Sequence, residues 1–298
     1  TAYVRVSVGL HNFGSQLAAT GWWDDVSAVI QLVGSVTVST GAVMEVRDAS
    51  WLTLEDLRCS YGDIGIWITG ADHVRLTGCD LIGNTEGVDS AGSNVCIEHS
   101  LFRYNSTGLR CRSGATAVEN CTFWGSNSRQ VWVENGLGTV SNSILSDWVW
   151  GSVGIQVDGG ATYYGNYNDL HASSNAFVGR NLGTDIGALI SWKAVTAQDS
   201  QSLSTDPLFV DPGSGDFHLQ SLTGSWHDDV RAWVNDAADS PCIDTADPAA
   251  PYGEEPQPNG ARRNMGAYGN TCEASRSSDG DGDGLSNSYE LHVVHSDP

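Results

Sequence analysis

Apolar residues return along this chain with a period near 22. Leu54, Leu76, Ile97, Val118 and Val140 stand at steps of 22, 21, 21 and 22. Three residues after each come Leu57, Cys79, Ser100, Cys121 and Ser143, and five after each Cys59, Leu81, Phe102, Phe123 and Leu145. Two further ladders are Ile66, Val88, Leu109, Val131, Ile155 and Ile68, Ser90, Cys111, Val133, Val157. Within each unit apolar and polar residues alternate over short runs broken by Gly and Asn, the period-2 signature of strands. A unit this short cannot bury its own apolar face. Stacked units can, because equivalent strands pair in register and like side chains pile up inside. The repeat therefore predicts an all-β parallel β-helix, one turn per repeat, with turns ~4.8 Å apart. A leucine-rich solenoid is disfavoured, since it needs a Leu-rich consensus with one strand per repeat. Met44, Val46 and Leu52 extend the pattern back one turn. Asn84 and Asn105, each eight residues after its ladder residue, are expected to bond one another through their side-chain amides.

Five such turns resemble the right-handed parallel β-helix proteins of the pectate-lyase-like superfamily. That resemblance, with general crossover chirality, implies the right-handed form. From residue 161 the repeat loosens. The phrases "GNYNDLHASSNAF", "STDPLFVDPGSGDFHLQ", "SPCIDTADP" and "NMGAYGN" are similar to the closing segment of secreted bacterial β-helix proteins, which implies a secreted or cell-surface protein. We expect a β-helix over residues 1–220, a capping segment over 221–274 and a calcium-loop linker over 275–298. Residues 221–262 hold five of the eight prolines and are expected to lie over the open end, protecting edge strands.

Seven cysteines are too few for a disulfide-stapled fold. Cys242 and Cys272 flank the expected lid, and we expect them to bridge; the alternative is two buried thiols. Cys79 and Cys121 share a column but stand two turns apart, ~9.6 Å, too far to bridge. They and Cys111 read as small core residues, and Cys96 as an outward, free thiol.

Residues 279–290 read "DGDGDGLSNSYE". Asp279, Asp281, Asp283, Gly284 and Glu290 fall at positions 1, 3, 5, 6 and 12 of a calcium loop, with the Leu285 carbonyl at 7 and Asn287 at 9. Hard carboxylate oxygens in that number favour calcium over zinc or copper; the alternative is a flexible acidic tail. "CEASRSS" before the loop lacks an amphipathic helix, so an EF-hand pair is not expected. The loop is more similar to those of dockerins and thrombospondin type-3 repeats, which implies a structural calcium that stiffens a linker.

The register also names the outward residues. One column is Trp67, Asp89, Arg110, Trp132, Gln156, and its neighbour Thr69, Ala91, Arg112, Glu134, Asp158. Asp89, Arg110, Arg112 and Glu134 thus meet between Trp67 and Trp132. Aromatic faces beside charged groups suit a sugar-binding groove, and equally an exposed ion-pair network. A polysaccharide lyase needs a base for the proton α to a uronate carboxylate, and Arg110 is the candidate. The polygalacturonase and alginate-epimerase signatures are absent. A glycosidase needs two carboxylates flanking the bond, and the adjacent pairs Asp24–Asp25 and Asp228–Asp229 face opposite ways on a strand. Glu55, Glu98 and Glu119 form another outward column.

Formal charge is −22, from 14 basic and 36 acidic residues, the opposite of a nucleic-acid footprint. No apolar run approaches the ~20 residues of a membrane span. The chain starts at Thr1 without a signal-peptide pattern, and "AYVRVSV" already reads as a strand, so we expect a piece of a longer protein. Two readings stand: a non-catalytic secreted module for structure, assembly (self-association or further domains) or glycan binding, and a polysaccharide lyase or related enzyme.

Overall fold

The structure, a computed structural model, describes residues 41–173 and 175–277, residues 286–290, 294 and 295, and the strand segments Tyr3–Val8, Leu17–Ala19, Ala28–Gln31 and Val36–Thr37. Its body is a parallel β-solenoid of about six turns. The first face is built from Ala42–Arg47, the start of Ile64–Thr77, Glu86–Ser93, Thr107–Cys111, Arg129–Val133, Val153–Val157 and Phe177–Asn181. The second holds Ser50–Glu55, the end of Ile64–Thr77, Val95–Glu98, Ala115–Glu119, Gly136–Ser141 and Ala161–Asn166. The third stacks Arg58–Ser60, Asp80–Ile82, Leu101–Arg103, Thr122–Trp124, Ile144–Asp147 and Asp169–Ala172. Partners stand 21 or 22 residues apart from Ile64 to Arg129, then 24 apart to Phe177.

The corners before and after the third face are short, most of them two to four residues between strands, and one residue in each takes a left-handed backbone. Between the second and third faces that residue is Asp56, Gly78, His99, Asn120, Asn142 or Tyr167; after the third face it is Tyr61, Gly83, Tyr104 or Gly125. Glycine takes this conformation freely, Asn and Asp readily, while His and Tyr pay ~1–2 kcal/mol. Hydrogen bonds along the axis offset that strain, such as Tyr61 N–H to the Ile82 carbonyl at 3.1 Å and Tyr104 N–H to Trp124 at 3.0 Å.

The predicted ladders are the core. Ile66, Val88, Leu109, Val131 and Ile155 are fully buried, as are Leu54, Leu76 and Ile97. Phe102 and Phe123 stack in one column with centroids 4.3 Å apart. The amide ladder forms as expected: Asn105 Oδ1 accepts from Asn84 N–H at 2.9 Å and from Asn84 Nδ2 at 3.1 Å. Asn105 Nδ2 donates to the Leu81 carbonyl at 2.8 Å. In the Cys/Ser column, Ser100 and Ser143 hydroxyls accept from the backbone N–H of Cys79 and Cys121, each at 3.1 Å. Cys79, Cys111 and Cys121 are buried core residues. Burial pushes the Cys79 thiol up to about 11 and Cys111 to about 12, so neither is reactive.

What closes the solenoid differs from the expectation. After Asn181 the chain turns back as Thr184–Ile186, antiparallel to Phe177–Asn181. The helix Leu189–Thr196 follows, with Trp192 fully buried. A Cβ at Gly179 would stand 2.3 Å from the Trp192 ring, so only glycine admits this plug. Asp199, itself buried, ties it down. Its Oδ2 accepts from Tyr163 Oη and Trp192 Nε1, both at 2.9 Å, and its Oδ1 from Asn168 Nδ2 at 3.0 Å and Ser202 Oγ at 2.7 Å.

Residues 203–277 run along the flank, not over the end where the lid over 221–262 was expected. The expected boundary at residue 220 therefore falls inside one continuous flank segment. Phe209, Phe217, Leu219, Cys242, Ile243 and Met265 form a second core against Ile144, with Leu101 and Trp124 beside it. These three residues are the outward side of the third face, so that sheet is covered on both sides. Arg263 staples the segment down: its Nη1 donates to Glu119 Oε1 and Asn120 Oδ1, both at 2.7 Å. The Cys242–Cys272 disulfide is not formed. The Cys242 thiol is buried and donates to Asp169 Oδ2 at 3.4 Å, while Cys272 is exposed. The proline-rich stretch is tied by Arg263 and by polar hubs such as Asn264 instead.

Candidate functional site

The outward columns of the first face stand in the predicted register, Trp67 beside Asp89, Asp89 beside Arg110, Arg110 beside Trp132, Trp132 beside Gln156. Their side chains form a closed network rather than an open groove. Arg110 donates through Nε and Nη2 to Glu134, both at 2.9 Å, and through Nη1 to Glu86 at 2.9 Å. Its guanidinium lies 4.3 Å from the Trp132 ring centroid, a cation–π contact. Arg112 Nε donates to Asp89 Oδ1 at 3.1 Å, and its Nη2 pairs with Oδ2 of the same carboxylate. Asp89 is fully buried. Trp132 Nε1 is spent on Asp158 Oδ2 at 2.8 Å. Trp67 sits apart, 5.3 Å from the guanidinium of Arg47.

The charge balance opposes base catalysis here. Its hydrogen bonds to the Glu134 and then the Glu86 carboxylate raise Arg110 above the already high guanidinium range, outweighing burial. A base must shed its proton near the working pH, and these carboxylates hold it on. Burial, and the charge of Asp89, push Glu86 up. The sequence reading missed Arg129. It lies 4.3 Å from the Trp132 centroid, has no carboxylate within ion-pair distance among the described residues, and its Nε has no acceptor. The Glu55, Glu98, Glu119 column aligns as predicted. It is no open cation site, because Glu98 pairs with Arg75 and Glu119 with Arg263. Lys193 lies on the end helix, where its Nζ donates to the Ser200 and Ser202 carbonyls at 3.1 and 2.9 Å.

A second surface was not foreseen. At the corner after the third face Tyr61 is 63 % exposed, Tyr104 39 % and Trp148 36 %. They recur every second turn, and Gly83 and Gly125 hold the same corner between them. The glycines make room: a Cβ at Gly83 would meet the Tyr61 ring at 2.8 Å, and one at Gly125 the Trp148 ring at 2.8 Å. Trp124 joins the row, 4.9 Å from Tyr104 and 4.1 Å from Trp148 between centroids. The result is an exposed aromatic row along the solenoid axis. Its sequence signal was the 43- and 44-residue spacing of Tyr61, Tyr104 and Trp148, twice the repeat. A separate cleft of about 260 Å³, with Tyr164, Asn166, Gln198 and Ser200 on its walls, lies beside the end plug.

Of the calcium-loop residues, Asp279, Asp281, Asp283, Gly284 and Leu285 lie outside the described residues, as do Asp24 and Asp25. Asn287 opens a short helix Asn287–Tyr289, capped by Ser286 Oγ, which accepts from Tyr289 N–H at 3.3 Å. Glu290 is 1 % exposed, and Tyr289 lies under the Arg262 guanidinium at 4.5 Å. The end of the loop thus sits on the flank segment, with its position-12 carboxylate turned inward. The carboxylates at 279, 281, 283 and 290 are a hard-oxygen donor set of the kind calcium takes.

No helix among the described residues is long and apolar enough to cross a membrane. Residues 41–188 match the family model described as the right handed beta helix region. No curated protein matches the chain.

Proposed function

We propose that this right-handed β-helix repeat protein is a non-catalytic, secreted or cell-surface module that binds polysaccharide along its aromatic row. The observation that carries the reading is the row itself: Tyr61, Tyr104 and Trp148, exposed at every second turn and held over Gly83 and Gly125. Flat aromatic faces pack on the apolar faces of sugar rings, and their spacing along a rigid axis suits a repeating polymer better than a small ligand. A rigid solenoid loses little entropy on binding an extended chain, which favours affinity.

Calcium belongs to the linker. Asp279, Asp281 and Asp283, the Leu285 carbonyl, Asn287 and Glu290 would hold it, and the ion supplies a hard charge around which an acidic loop can close. Further domains beyond this segment, or a second copy of the chain, are the partners such a linker would serve.

The lyase reading competes on one feature, the surface around Arg110. Its double pairing to Glu134 and Glu86 argues for a scaffold there. The test is co-sedimentation of the full chain with insoluble polysaccharides, both uronic-acid polymers and neutral β-linked glucans. We expect retention that falls at least tenfold when Tyr61, Tyr104 and Trp148 are changed together to Ala, with unchanged circular dichroism. Undiminished retention of that triple variant would overturn the assignment to the row. Ultraviolet absorbance from an unsaturated uronate product, lost in Arg110→Ala, would make the protein a lyase instead.

A further inference from the structure

The flank segment holds a second group of metal-ligating side chains, separate from the calcium loop. Asp216 and His218 lie on the strand Asp216–Leu219, and Asp228 follows the strand Ser225–His227. One ligand atom from each lies within 4.8 Å of the other two. Asp216 and His218 are buried, and Asp228 is exposed. The group is held in place before any ion arrives. Asp216 Oδ1 faces His218 Nδ1 at 2.7 Å and accepts from His218 N–H at 3.1 Å, while its Oδ2 accepts from Asp228 N–H at 2.9 Å. Asp228 Oδ1 accepts from Trp226 Nε1 at 3.1 Å, which leaves its Oδ2 for a ligand. Tyr268 stacks on the imidazole with centroids 3.6 Å apart and fixes its plane.

The imidazole carries an unresolved proton. Its side chain is fully buried, yet Nε2 has no hydrogen-bond partner. Glu273 Oε2 lies 3.7 Å away, too long for a hydrogen bond. If the neutral ring keeps its proton on Nδ1 for Asp216, Nε2 is a buried acceptor with no donor, which is costly. An ion on the Nδ1 side removes that conflict. The proton moves to Nε2, and a small movement of the half-exposed Glu273 side chain, whose carboxylate lies 3.7 Å away, brings an acceptor within hydrogen-bond reach. Ligating histidines usually donate their other nitrogen to a carboxylate in this way.

We infer that Asp216, His218 Nδ1 and Asp228 form a binding site for a divalent transition ion of the zinc class, with Glu273 orienting the imidazole. One imidazole with two carboxylates suits a borderline cation, whereas calcium prefers an all-oxygen shell. The site joins one strand of the flank segment to the hairpin formed by Ser225–His227 and Ala232–Val234, so the ion acts as a clasp.

The probe is zinc chloride, titrated calorimetrically into the chelator-stripped full chain in excess calcium, which occupies the loop. We expect one zinc per chain, with affinity at least tenfold weaker in Asp228→Asn, uptake lost in His218→Gln, and no change in Asp281→Asn. Asp228 is exposed and its backbone N–H is untouched by that change, so Asp228→Asn decides the matter even where His218→Gln fails to fold. Cobalt(II) should give visible absorption bands in the wild type that disappear in Asp228→Asn. No zinc uptake by the wild type would overturn the proposal, and would leave the Asp216–His218 contact as a structural one. Uptake undiminished in Asp228→Asn would overturn it too, by placing the ion elsewhere.

Discussion

Burial without full compensation marks several carboxyls of the flank segment and of the solenoid face beneath it, and it sets a pH dependence with a definite sign. Burial pushes Glu255 up to about 8, although its Oε1 accepts from Asn264 and Asn270 N–H at 2.9 and 2.7 Å. Burial likewise lifts Asp244 to about 7 and Asp169 to about 7. In the unfolded chain such groups titrate near ~4. Below that pH both states are protonated and the groups contribute no difference. Above it the unfolded chain releases protons that the native state still holds, so stability falls as pH rises. The loss is complete once pH passes the folded values, near 8 for Glu255. We therefore expect the urea midpoint in saturating calcium to drop between pH 5 and pH 8. Glu255→Gln should shrink that drop, because glutamine keeps the acceptor and carries no titrating proton. A midpoint with the same pH dependence in the variant would show that Glu255 titrates normally.

At the scale of the element, the repeated columns were legible because each is written five times. A single Leu says little, but Leu54, Leu76, Ile97, Val118 and Val140 at one interval leave little freedom in register, and all five are buried. The amide pair was legible for the same reason. Asn105 supplies two acceptances to Asn84 and one donation to Leu81, all buried. Asn105→Ala should strand those groups at ~1–3 kcal/mol apiece, with incomplete additivity, for a total near ~3 kcal/mol in chemical unfolding. A loss under ~1 kcal/mol would show that water satisfies the ladder. Where the sequence is written once, legibility failed. The flank segment has no repeat, so nothing placed Phe217 against Trp124 or Arg263 against Glu119. The Cys242–Cys272 expectation rested on position along the chain, while the fold points the Cys242 thiol at Asp169. The outer face was legible in its register but not in its bonding. Alternation places Arg110 next to Trp132, but Glu86, which completes its pairing, lies outside both predicted columns.

The whole molecule is a rigid solenoid with a lateral segment laid along one side, and the end of the proposed calcium loop, residues 286–290, sits on the second part. Glu290 is buried and Tyr289 packs under Arg262, so the loop's last turn is anchored on the flank rather than on the solenoid core. Ligand binding to the native state alone stabilises by RT ln(1 + [L]/Kd), ~4 kcal/mol at a thousandfold excess over Kd. Chelation should therefore act unequally. The flank should unfold at a lower temperature without calcium, seen as a change in near-ultraviolet dichroism from Trp124, Trp226 and Trp233. The far-ultraviolet β signal of the solenoid should persist, because its strands pair with one another. Glu290→Gln should lose the calcium shift without reproducing a collapse of the solenoid. Two outcomes contradict this arrangement. One is identical melting with and without chelator, with no calorimetric calcium uptake, which would make residues 279–290 an acidic tail. The other is a single transition that moves as a whole, which would mean that flank and solenoid unfold together and that the second core under Ile144, Phe217 and Met265 is as stable as the first.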